Sequence, residues 1–69
     1  TAADEIYIVT GRTDMRKSID GLCAVVEDQL YMDPRRSALY LFCGKRCDRI
    51  KALLWESDGF VLLYKRMEV

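Results

Sequence analysis

Helical periodicity occurs once in this chain. Ile19, Leu22, Cys23, Val26 and Leu30 follow the i, i+3, i+4, i+7, i+11 spacing of one helical face. The spacing predicts a helix from about Met15 to Leu30, with Asp14 or Thr13 as its N-cap, because a short side-chain oxygen can accept an orphan N–H of the first turn. Gly21 lies inside that segment and costs about 1 kcal/mol relative to Ala; close packing on a sheet or a kink would explain it. The other ordered segments read as strands. Ile6 to Thr10 is rich in β-branched and aromatic residues and stops at Gly11. Asp33-Pro34 ends the helical part, since proline disfavours helix in the residue before it. Ala38 to Cys43, Arg49 to Glu56 and Phe60 to Met67 then follow as strands joined by short connections, Gly44 to Asp48 and Ser57-Asp58-Gly59. Gly59 is available there for a positive φ.

The order is therefore strand, helix, strand, strand, strand. This predicts an α+β fold in one small domain, with an antiparallel meander of the last three strands packed on one helix. A single helix covers one face of such a sheet. The other face must meet something else.

Alternation divides the side chains between the faces. Ile50, Ala52 and Leu54 carry no charge and are expected to face the helix. Arg49, Lys51, Leu53 and Trp55 then share the open face. On the last strand Val61, Leu63, Lys65 and Met67 share one side, and Phe60, Leu62, Tyr64 and Arg66 the other. A basic and aromatic open face suits a polyanion, with cations neutralising phosphates and Trp55 or Tyr64 stacking a base. Equally, Trp55 is a candidate core or interface anchor, and Arg46, Arg49 and Lys51 a solvated hairpin face.

Net charge is zero, but it is unevenly spread. Residues 1–34 hold seven acids and three bases, and residues 35–69 four acids and eight bases. The start of the chain lacks a basic n-region and a long apolar run. No apolar stretch approaches the roughly 18 residues of a membrane span. A cytosolic, reduced, soluble protein is the expectation.

Little in the composition supports autonomous catalysis. The chain has no histidine, and so lacks the usual general base near neutral pH and the commonest metal ligand. Cys43 and Cys47 flank a turn, but no second pair exists to complete a tetrahedral zinc site within one chain. Their disulfide is not expected in a reducing compartment. Cys23 is expected to pack as a small apolar residue. Asp14, Asp20, Asp48 and Asp58 each have a simpler role in a cap, a helix start, an ion pair or a turn than in a magnesium cluster. Neither Gly11 nor Gly44 belongs to a phosphate-cradling loop. We expect no catalytic residues, no cofactor and no metal.

Three strings carry a resemblance: TGRTDMRKSIDGL at residues 10–22, LFCGKRCDRIK at 41–51 and WESDGFVLLYKRME at 55–68. Together they resemble the TnpB-type accessory protein, the product of the second reading frame, of the insertion sequence sixty-six transposase family. The likeness runs over nearly the whole chain, with the DMRK, SIDGL, DRIK, DGF and YKR segments in the family's order. Ser18, Cys23 and Cys47 stand where the family pattern has glycine, alanine and arginine. The last of these removes one positive charge from the hairpin.

The resemblance implies a non-catalytic role in bacterial DNA transposition, beside a separate transposase that carries the catalytic acids. It also implies that the 69 residues form the N-terminal part of a longer protein. On that basis Arg46, Arg49, Lys51, Lys65 and Arg66 are expected to contact DNA phosphates, with Arg16 and Lys17 as a second basic spot. In the alternative, Leu53, Trp55 and Tyr64 form an apolar hot spot that docks on the transposase or on a second copy without touching DNA.

Overall fold

The computed structural model describes residues 3–46 and 48–68. It contains β1 (Glu5–Ile8), α1 (Ile19–Leu30), β2 (Ala38–Cys43), β3 (Arg49–Glu56) and β4 (Gly59–Arg66). The strands form one sheet in the order β1-β2-β3-β4. The pairs β2–β3 and β3–β4 are antiparallel, as the short connections require. β1 adds to the outer edge of β2 in parallel, and α1 supplies the crossover that a parallel pair needs. The expected α+β class and element order hold.

Cross-strand register arranges the side chains in rows. On one face Tyr7, Tyr40, Leu53 and Leu62 are aligned across all four strands. The next row continues with Phe42, Lys51 and Tyr64, and the last pairs Arg49 with Arg66. On the other face Ile6, Leu39, Leu54 and Val61 form one row, and Ile8, Leu41, Ala52 and Leu63 the next. Cys43, Ile50 and Lys65 make a shorter third row there.

The first of these faces is the one under the helix. Leu22 and Val26 of α1 share a buried cluster with Val9, Ala38, Tyr40, Phe42 and Leu53. Tyr40, Phe42, Leu22, Leu53 and Val26 are fully buried, and such a side chain contributes about 1.5–3 kcal/mol by leaving water. Tyr7 stacks on Tyr40 with ring centroids 5.6 Å apart. Trp55 meets Phe60 edge-on at 4.9 Å, at the far end of the same face.

The expected assignment of faces is therefore inverted. Arg49, Lys51, Leu53 and Trp55 lie on the helix side, and Ile50, Ala52 and Leu54 on the side away from it. The reason lies in β2. Its two side-chain sets are both apolar, and the bulky pair Tyr40 and Phe42 fills the space beneath α1. Register then carries their partners Leu53 and Lys51 to the same side. The charge of Lys51 is no obstacle. Its long stem lies along the sheet while its ammonium donates to the Lys17 carbonyl at 2.7 Å.

The helix is also shorter than its periodicity predicts. It starts after Ser18, whose side chain makes no capping bond, and neither Thr13 nor Asp14 caps it. Asp14 closes a tight turn upstream, accepting the Arg16 N–H on its side chain and the Lys17 N–H on its carbonyl. At the C-terminus Tyr31 adopts a left-handed conformation (φ 54°), and its N–H turns back to Val26. A Cβ at Gly21 would meet the Lys17 side chain at 3.2 Å, so that glycine makes room for a neighbouring lysine rather than for the sheet. Gly59 does not use the left-handed region; among the described glycines only Gly11 does (φ 85°).

Replacing Leu53 by alanine should remove the centre of the helix-side row and cost about 2–5 kcal/mol. Urea unfolding checks this. A lower midpoint with an unchanged slope is expected, and an unchanged midpoint would contradict the placement of Leu53 in the core.

Candidate polyanion-binding cleft

Two loops meet at the end of the sheet where α1 begins. The first leaves β1. The Val9 N–H donates to Leu41 and the Thr13 N–H to Cys43, so this loop stays attached to the edge of β2. Gly11 then supplies the left-handed turn that swings Arg12 outward. The second is the β2–β3 connection, closed by the Gly44 N–H donating to Arg49 at 3.0 Å. Gly44 is buried, and a Cβ there would lie 2.8 Å from the Met15 side chain. Its lack of a side chain lets the two loops touch.

The contact creates a cleft of about 650 Å³ lined by Arg12, Arg16, Lys45, Arg46 and Arg49, with Tyr64, Thr13, Met15, Asp14 and Asp48. Five cations thus face two carboxylates. One carboxylate, Asp14, is already engaged. It accepts from the Arg16 guanidinium at 2.8 and 3.0 Å and from the Arg16 backbone N–H at 2.9 Å. The guanidinium above all, then the backbone N–H, hold the Asp14 carboxyl well below the usual carboxylate range. Among the described residues no carboxylate pairs with Arg12, Lys45, Arg46 or Arg49.

The expected site residues separate into three groups. Arg16, Arg46, Arg49 and Tyr64 come together in the cleft. Lys17, Lys51 and Arg66 lie beside it but are differently occupied. Lys51 donates a hydrogen bond to the Lys17 carbonyl and sits 5.6 Å from the Tyr64 ring centre, and Arg66 pairs with Glu68 at 2.7 Å. The Lys17 side chain packs beside Gly21. Lys65 points to the opposite face, in the row of Cys43 and Ile50. Leu53 is fully buried, Trp55 is half-buried against Phe60, and Tyr64 is exposed. These three residues therefore share a strand face without forming one exposed patch.

Arg12 and Lys45 also line the cleft, although they are not among the residues expected from the sequence. Each directly follows a glycine that ends a strand or its extension, Gly11 and Gly44, and that pairing was the available signal.

No described group of histidine, cysteine, aspartate or glutamate side chains is placed to hold a metal ion. Cys47, and with it the Cys43–Cys47 disulfide and zinc questions, lies outside the described residues. Cys23 packs against the core, and burial, followed by the nearby Glu27, pushes its thiol up, away from the reactive thiolate. No described helix is long and apolar enough to cross a membrane.

Residues 4–69 match the protein family described as IS66 Orf2 like protein. The chain belongs to that family. It is 35% identical over 63 residues to the uncharacterized protein y4jC of Sinorhizobium fredii (strain NBRC 101917 / NGR234), a match that covers 91% of this chain and 54% of y4jC. It is 30% identical over 63 residues to the uncharacterized protein y4hO of the same strain, with 91% and 55% covered. The chain thus spans about half the length of these curated relatives. No solved structure matches it.

Because the pKa of Asp14 is lower in the folded protein, its contribution to loop stability is complete above the unfolded carboxylate pKa of about 3.9 and is lost as pH falls through the folded value. A carboxyl-detected NMR titration should place its midpoint below that ordinary value. Arg16→Ala should return the midpoint toward it. A midpoint unmoved by Arg16→Ala would contradict the guanidinium as the main cause.

Proposed function

We propose that this chain is a non-catalytic accessory protein of insertion-sequence transposition that binds the DNA backbone through the cleft between its two loops. Membership of the IS66 Orf2-like family supplies the setting. The observation that carries the binding mode is the convergence of Arg12, Arg16, Lys45, Arg46 and Arg49 on one cleft, most of them without a carboxylate partner among the described residues. Unpaired guanidinium and ammonium groups on neighbouring loops suit adjacent phosphates, and displacing condensed counterions drives the association.

Among the described residues the cleft is lined by cations and one aromatic, Tyr64. Backbone contact rather than base reading is therefore its natural use. In this reading the 69 residues act as one domain in the bacterial cytoplasm. They hold element DNA for the transposase of the same element, which performs the chemistry. Of the residues expected to contact DNA, Arg16, Arg46 and Arg49 stay in the proposal, Arg12 and Lys45 join it, and Lys65 leaves it for geometric reasons.

Titrating element-end DNA over a salt series tests the proposal. Binding should weaken steeply with salt. Arg46→Gln and Arg49→Gln should each weaken it equally for all sequences and reduce the salt slope by about one. No binding, or binding insensitive to salt, would overturn the DNA reading. Capture of the transposase in the absence of DNA would then favour protein docking.

A further inference from the structure

Among the described residues Tyr64 is the one aromatic that lines the cleft, and it stays 53% exposed although it belongs to a paired strand. Register sets it beside Lys51 on β3. The Lys51 ammonium stands 5.6 Å from the ring centre and is itself held by the Lys17 carbonyl at 2.7 Å. A ring positioned in this way gives up little freedom when a flat group lies on it. The cations of the cleft come from three segments: Arg12 and Arg16 before the helix, Lys45 and Arg46 between β2 and β3, and Arg49 on β3. Phosphate contact gives those cations a use and leaves the exposed aromatic among them without one.

Resting on the reading of the cleft as a DNA-backbone site, we propose that its preferred ligand is single-stranded DNA, with one unpaired base stacked on the Tyr64 ring while neighbouring phosphates lie against Arg12, Arg46 and Arg49. Three considerations favour a single strand over a duplex. First, a cleft of about 650 Å³ has the size of a small-molecule site, with room for a nucleotide rather than for a double helix. A duplex touches only its rim and keeps its base faces inside the stack, away from Tyr64. Second, an aromatic side chain in a cationic groove is the combination that holds unpaired nucleotides. The cations follow the backbone, and the ring accepts any base, because every base has a π-face. Stacking thus adds affinity without reading sequence, in keeping with contacts made mainly to the backbone. Third, cations stand on both loops that bound the cleft. A flexible strand lying between the loops meets both sets, whereas a stiff duplex follows one surface.

Fluorescence anisotropy tests the proposal on three probes of equal phosphate number: an oligo-dT strand, a hairpin duplex and an abasic strand that keeps the backbone without bases. Circular dichroism reports the folding of each variant. The oligo-dT strand should bind tighter than either of the others, and loss of the bases should weaken binding by about 5- to 150-fold. Tyr64→Ala should cause a similar loss on the oligo-dT strand and none on the abasic strand, since the two changes remove the same contact. Tyr64→Phe should retain the affinity. Equal binding of strand and duplex, a strand affinity indifferent to Tyr64→Ala, or a Tyr64→Ala loss that persists on the abasic strand would overturn the proposal. Tighter binding of the matching oligo-U strand would overturn DNA as the ligand. If Tyr64→Ala does not fold, the comparison of the oligo-dT and abasic strands on the unaltered chain decides. These outcomes leave duplex binding and its dependence on Arg46 and Arg49 as they are. Absence of binding to all the probes would instead overturn the cleft as a DNA site, and the single-strand preference with it.

Discussion

Burial of Tyr40, Phe42 and Leu53 beneath Leu22 and Val26 is the interaction on which the rest of this structure depends. It fixes which side of the sheet is inside, and through register it fixes the side of every other strand residue. Because β3 pairs Leu53 with Tyr40 and Lys51 with Phe42, the basic end of the strand is carried to the helix side beyond the end of the apolar packing. There it meets the loop that precedes the helix. The cleft is thus a by-product of how the core closes. The same aromatic pair that excludes water at the middle of the sheet places Arg49 at its edge.

The elements were largely legible in the chain, and their orientation was not. Length and periodicity separate the helix from the strands, and proline and glycine punctuate the connections, so β2 and β3 begin and end where the pattern puts them. The helix is overextended because Met15 continues the apolar rhythm, although its side chain packs across to Gly44 instead of along a helical face. Periodicity alone cannot tell those uses apart. The face assignment failed for a related reason. It took lack of charge on β3 as the mark of the core, but both faces of this sheet are rich in aliphatic residues. What distinguishes them is the volume of Tyr40 and Phe42 on β2. That difference is visible in the sequence only when the register between strands is known.

The candidate site shows the same division. Arg16, Arg46 and Arg49 could be named because they fall in basic clusters of the sequence. Lys45 is the neighbour of Arg46 in the same cluster and was open to the same rule, whereas Arg12 joins them only through the contact of two loops. Tyr64 is conspicuous in the sequence for its aromaticity, and its placement beside Lys51 follows from the β3–β4 register. Lys65, one residue further, falls on the opposite face by the same alternation. The cleft therefore joins residues that are local in sequence to residues that only topology brings near.

Among the described residues β1 and β4 form the borders of the sheet, and they differ in how they discourage further pairing. β1 has only four residues, a short template for any incoming chain. β4 is twice as long, but its last residues are Lys65 and Arg66, and like charges brought into register there would repel. Neither border favours open-ended, amyloid-like growth by hydrogen-bonded strand addition. A sheet with so much aliphatic surface thus closes its borders to fibre growth.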